Sequence, residues 1–321
     1  MINSVRGPVE PGDLGITLAH EHVFVMTADS QQQWGAHDGE WDEEAKVAEA
    51  VAKLQELVDS GVRTILDPTV DGLGRNIPRI VRINEQVPAL TILVATGVYT
   101  YTDVPSYFAH RGPAVLPDLP EPMVDLFVAD ITKGIQGTDV RAAFLKCAID
   151  HHGLTPGVER VLRACAKAQL QTGVPLMVHT HPGSKTGLEV QRVLAEEGVA
   201  PSSVLLAHSG DTTDADHLQQ LAEAGFWLGM DRFGIDLEMT HDARVGIVVE
   251  MCARGFAGSM VLAQDASCYI DWIQPDLMPM LPDWNYLHVQ KDVVPALLER
   301  GVTQDQVDAM LIGNPRRVFS T

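Results

Sequence analysis

The sequence predicts an α/β protein folded as a (β/α)8 TIM barrel. Short runs rich in Val, Ile and Leu alternate with longer amphipathic stretches, eight such runs can be counted, and glycines close the stretches between them. The chain has 321 residues. One barrel takes roughly 250 residues, so residues 1–321 read as a single barrel domain with a short N-terminal extension and C-terminal helices.

In chain order the expected strands cover 16–25, 62–67, 90–96, 143–149, 175–179, 204–208, 227–231 and 260–263. Helical periodicity fills 43–60, 157–172, 188–197 and 217–224. Gly61, Gly173, Gly198, Gly225 and Gly255 each follow a predicted helix, where a left-handed residue ends it. Two segments break the rhythm. Residues 99–122 and 266–288 are long and carry prolines and aromatics. Each follows a strand, so each is expected over the barrel mouth, where βα loops build active sites; plain surface insertions are the alternative.

The formal net charge of −20 disfavours nucleic acid as a partner. No basic amphipathic stretch and no run of 18 apolar residues points to a membrane. The four cysteines, Cys147, Cys165, Cys252 and Cys268, form no CxxC pair, and the first residues lack the apolar core of a signal peptide. A reduced, cytoplasmic setting is the resulting expectation.

The chemistry-bearing residues fall on the predicted strands. His20 and His22 flank Glu21 on strand one, Lys146 lies on strand four, His179 and His208 end strands five and six, and Asp265 follows strand eight. Side chains two apart share a strand face, so His20 and His22 can both point inward while Glu21 points away as a structural partner. Strand ends converge in a barrel, and four His with one Asp suit Zn, Co, Mn or Fe. Lys146 is expected to point into an apolar interior, where an unpaired ammonium is costly. An ion pair with Asp265 or Glu21 would relieve that, and so would a carbamate formed with CO2; the spacing leaves both open.

The ligand pattern, together with GITLAHEHV (15–23), ATGVYTY (95–101), FLKC (144–147), AHSGD (207–211), GMDRFG (229–234) and NPRRVF (314–319), resembles the phosphotriesterase branch of the amidohydrolase superfamily. Within that branch it is most similar to the phosphotriesterase-like lactonases. The resemblance implies two divalent metal ions. His20, His22 and Asp265 would bind the more buried one, and His179 and His208 the more exposed one. Carboxylated Lys146 and a hydroxide would bridge the two. His181 is not a ligand in that pattern. Two ions roughly 3.5–4 Å apart acidify a shared water and clamp the reacting oxygens; Asp265 would carry the proton to the leaving group.

The resemblance also gives roles to the residues around the metals. Tyr99 would help place a lactone, with Tyr101 as a pocket wall. Arg232, paired with Asp211, would orient Asp265 or merely brace the rim. Trp272 would line a groove for an acyl chain or serve a subunit contact. Gln264 stands where a His, and Ser267 where a Cys, is common in relatives. The implied activity is hydrolysis of N-acyl-homoserine lactones (quorum quenching) or other aliphatic lactones, with promiscuous phosphotriester cleavage, in a homodimer acting on small molecules. A dedicated phosphotriesterase, a carboxylesterase or a non-catalytic metal-binding scaffold are the alternatives.

Overall fold

The computed structural model describes residues 1–35 and 41–320. Eight parallel strands form a nearly closed barrel. In chain order the strands are β1 (Ile16–Leu18), β2 (His22–Val25), β3 (Val62–Asp67), β4 (Thr91–Gly97), β5 (Phe144–Ile149), β6 (Leu176–Thr180), β7 (Val204–Ala207), β8 (Trp227–Met230), β9 (Met260–Leu262) and β10 (Ser267–Ile270). The barrel order is β1-β3-β4-β5-β6-β7-β8-β9, and the Ala19 amide donates to the Leu262 carbonyl to tie the last strand to the first.

Strand one departs from the continuous strand expected over 16–25. It breaks at residues 19–21, and β2 leaves the barrel to pair with β10. The cause is competition for partners. Glu21 donates its amide to Leu66 while His22 donates to Ala266, so the chain turns from one neighbour to the other within two residues. Strand β10 lies in the segment expected to be a loop.

Strict alternation along the strands separates two cores. Leu145, Cys147 and Ile149 of β5 face the surrounding helices, as do Leu176 and Val178 of β6. Phe144 and Met177 face inward, with Leu205, Trp227 and Val261 from β7, β8 and β9. Phe319 stacks edge-on to Phe144, ring centres 6.3 Å apart, so the C-terminal segment plugs the barrel floor. Lys146 is two residues above Phe144 on the same face, which places its side chain in the barrel above that plug. Gly97, at φ +148°, permits the approach of β4 to β5: a Cβ there would lie 1.8 Å from the Lys146 carbonyl oxygen.

The helices have local causes. Asp42 caps Glu43–Asp59 through the Ala45 amide, and Thr155 caps Pro156–Thr172 through Val158. Gly173 ends the latter at φ +74°. Residues 99–122 hold a short helix, Ser106–Ala109, and a 3-10 turn; Pro275–Met280 is also 3-10. Most of the exposed large apolar side chains, Trp272, Leu277, Met278 and Met280 among them, sit on these mouth-side connections. Among the described residues no helix is long and apolar enough to cross a membrane.

Candidate metal centre

The barrel mouth gathers all six predicted ligands. His20, His22, Lys146, His179, His208 and Asp265 line one cavity of about 310 Å3, with Tyr99, Tyr101, Arg232 and Trp272 also in its wall. His20, His22 and His208 are each fixed through Nδ1, which leaves Nε2 facing the cavity. Such partners set the tautomer and the aim of a ligating imidazole. His20 Nδ1 meets Asp231 Oδ2 at 2.9 Å, and His208 Nδ1 meets Asp231 Oδ1 at 3.0 Å. His22 Nδ1 meets Thr69 Oγ1 at 2.8 Å, and Thr69 in turn donates to Asp67. His179 is held by its other nitrogen: Nε2 meets Asp150 Oδ2 at 2.6 Å.

The free nitrogens converge. His20 Nε2 and His22 Nε2 stand 3.3 and 3.2 Å from Asp265 Oδ1, and His208 Nε2 is 3.9 Å from Oδ2. Two overlapping groups are close enough to hold an ion: His20 with His22 and Asp265, and His20 with His208 and Asp231. These clusters are consistent with a binuclear site. His208 and Asp265 both sit just past a strand end with positive φ, +65° and +54°, a conformation uncommon for residues with a Cβ. Constrained backbone of this kind gathers at functional sites.

The electrostatics keep the donors available. Burial lowers the pKa of His20, His208 and His179, the last to about 4, which favours the neutral ring that a metal needs. Burial alone would raise the carboxyl of Asp265, but His20, His22 and His208 hold it well below its usual range. Asp231 behaves alike between His208 and His20.

Lys146 is 1% exposed, and its Nζ has no hydrogen-bond partner among the described residues. Burial brings its pKa down to about 8. The ion pair with Glu21 or Asp265 considered for it does not satisfy the amine. Glu21 instead accepts from the Gln264 and Ala266 amides.

Arg232 does reach both expected partners. Its Nη1 lies 3.0 Å from Asp211 Oδ2, and its Nε 3.4 Å from Asp265 Oδ2. Arg244, buried on the helix His241–Ala253, holds the far side of Asp211. The Tyr99 hydroxyl bridges Tyr101 and His179 Nδ1, 3.1 Å from each. Trp272 leans on Tyr99 with ring centres 5.9 Å apart and is 42% exposed. His181 bonds Ser184 instead of joining the ligands.

Asp231, Asp150, Thr69 and Arg244 were not singled out from the sequence. For the two aspartates a signal existed: each directly follows a barrel strand, as Asp265 nearly does. Gln264 is also explained. Its amide nitrogen donates to Glu21 and its oxygen accepts from the Val289 amide.

A parallel barrel with buried His/Asp clusters and a lone lysine at its mouth has the architecture of a metal-dependent hydrolase. The chain belongs to the Phosphotriesterase family, which it matches over residues 1–319. It is 52% identical to a phosphotriesterase homology protein of Mycobacterium tuberculosis, covering 99% of this chain and 97% of the relative. It is 37% identical to an aryldialkylphosphatase of Saccharolobus solfataricus, covering 98% of each. An N-acetyltaurine hydrolase of Salmo salar is 26% identical, over 98% of this chain and 97% of that one. The solved structure of the phosphotriesterase from Mycobacterium tuberculosis superposes with a TM-score of 0.96 at 52% identity, covering 99% of this chain and 98% of that one.

Proposed function

We propose that the protein is a binuclear metal-dependent hydrolase that opens lactones, N-acyl-homoserine lactones or other aliphatic ones, and cleaves phosphotriesters more slowly. The observation that carries this reading is the pairing of two surfaces in one cavity. Tyr99 and the His/Asp clusters form a polar floor, and Ile235, Ile270, Trp272 and Ile273 form an apolar wall above it. A lactone with an aliphatic tail presents the same two faces.

In this reading His20, His22 and Asp265 would hold one ion, His179 and His208 would hold the other, and Lys146 would serve both. Two divalent ions there, Zn, Co, Mn or Fe, would activate water and polarise the substrate oxygen. The orphaned Nζ fits the bridge. With a pKa near 8 a fraction of the amine is neutral at pH 7 and can add to CO2. The new N–C bond releases one proton and yields a carbamate, whose two oxygens can serve two ions.

Asp265 then takes the proton shed by water and returns it to the leaving alkoxide. Arg232 holds Asp265 Oδ2 in place during that transfer. Tyr99 donates to the substrate oxygen nearest His179, and burial raises its pKa well above the usual value, so the donor proton stays on. Tyr101 and Trp272 position the tail. The protein acts on small molecules, and a homodimer accompanies this reading.

A panel of lactones of varied ring and chain, run beside paraoxon and open-chain esters with a pH indicator, tests the proposal. Lactone turnover above the other classes is the expected result. Paraoxon turnover far above every lactone would return the protein to a dedicated phosphotriesterase. Ester turnover without lactone turnover would make it a carboxylesterase.

A further inference from the structure

Glu21 lies between two proposed ligands, yet it points away from the cavity and is fully buried. Its carboxylate is spent on one short stretch of chain. Oε1 accepts from the Gln264 amide at 2.8 Å and from Gln264 Nε2 at 3.1 Å, and Oε2 accepts from the Ala266 amide at 2.9 Å. These donors bracket Asp265 on both sides.

The residue they bracket needs holding. Asp265 sits at φ +54°, and no glycine is present to make that conformation easy. Its own amide donates to the His20 carbonyl at 3.0 Å, and the His22 amide donates to the Ala266 carbonyl at 2.8 Å. Trp284 Nε1 caps the Gln264 and Asp265 carbonyls from above, 3.1 Å from each. The tripeptide of residues 20–22 and the tripeptide of residues 264–266 are thus laced together at every residue.

We infer that Glu21 is a positioning residue that sets the Asp265 carboxylate against the His20 and His22 nitrogens, and so builds the more buried metal site from a single tripeptide. The inference rests on the metal reading above. A carboxylate is required because it has two acceptor oxygens for the two flanking amides. A glutamine offers one oxygen and one NH2, so either Gln264 or Ala266 would face a donor. The bracket would open on one side, and Asp265 would lose its aim while His20 and His22 stay in place.

The test is Co(II) binding to the metal-stripped full chain, read by chelator competition and by the visible absorption of the bound ion. Wild type is expected to bind two Co(II). Glu21→Gln is expected to bind one of them on the order of 10–100-fold more weakly, with an altered visible band and an unchanged far-UV circular dichroism spectrum. A merely structural role would lower the melting temperature of the metal-free protein and leave affinity and spectrum of the folded fraction as in wild type; that result overturns the inference. If Glu21→Gln does not fold, Glu21→Asp keeps both acceptor oxygens on a stem one methylene shorter, so the carboxylate is drawn back from the two flanking amides. Weaker Co(II) binding of the same kind supports the inference, and wild-type binding overturns it. A wild type that takes up no Co(II) overturns the metal reading itself, and this inference with it.

Discussion

Replacing Asp231 by Asn should remove one metal ion and spare the other. Asp231 serves three donors with two oxygens. Oδ1 accepts from the His208 amide at 2.7 Å and from His208 Nδ1 at 3.0 Å, and Oδ2 accepts from His20 Nδ1 at 2.9 Å. An asparagine has one acceptor oxygen and one NH2. The amide of His208 cannot change sides, because that residue is fixed at φ +65°. The single oxygen therefore stays at the Oδ1 position, and the NH2 is turned toward His20. His20 must then move its proton from Nδ1 to Nε2, the nitrogen 3.3 Å from Asp265 Oδ1. A protonated Nε2 has no lone pair for a metal. Loss of such an orienting partner weakens binding on the order of 10–100-fold, or about 1.4–2.7 kcal/mol. The assay is metal content and affinity by chelator titration with elemental analysis. The expected product holds one ion tightly, on the His179 side, and has lost the one at His20, His22 and Asp265. Retention of both ions at wild-type affinity would refute the reasoning, and so would loss of the His179-side ion instead.

Three further outcomes follow from the same geometry. Lys146→Met should lower hydrolysis at least 100-fold without lowering the melting temperature of the metal-free protein, since it removes an unpaired buried ammonium; full activity would exclude the carbamate bridge. Trp272→Ala should raise KM for long-chain lactones with kcat little changed; an apolar contact of about 50 Å2 is worth about 1.3 kcal/mol, or roughly tenfold. Short-chain lactones serve as the control. Stability of the metal-free protein should fall as pH drops from about 6.5 to about 4. His179 is held down to about 4, so over that window the unfolded chain binds the extra proton. Chemical denaturation across that range measures it, and a flat profile would contradict the buried neutral ring.

The barrel was legible because each strand has a local signature. Runs such as LMVHT and VLLA have no competing helical reading of adequate length, and glycines end the helices between them. The gathering of the candidate ligands was legible for a related reason: strand ends meet in a barrel, so a His at the end of β6 and another just past β7 must be neighbours. The break in strand one was not legible. GITLAHEHVFV reads as one continuous strand, and only distant partners, Leu66 and Ala266, divide it. The carboxylates behind the histidines were half legible. Asp231 and Asp150 each directly follow a strand, but which rings they serve is decided only in space. Glu21 was read correctly as structural in kind, but its targets lie near the other end of the chain.

The pairing of β2 with β10 has a consequence for how such a protein can change substrates. Ser267 is in register with His22, and the Tyr286 hydroxyl bonds the His22 carbonyl. The connection that carries Trp272 is therefore fastened at both ends to one ligand-bearing residue. Between those anchors, and short of Trp284, the chain can lengthen, shorten or change its aromatic content while its two ends stay fixed beside the cavity. Grafting residues 271–283 from a relative should therefore move substrate preference and leave the hydrolytic machinery running.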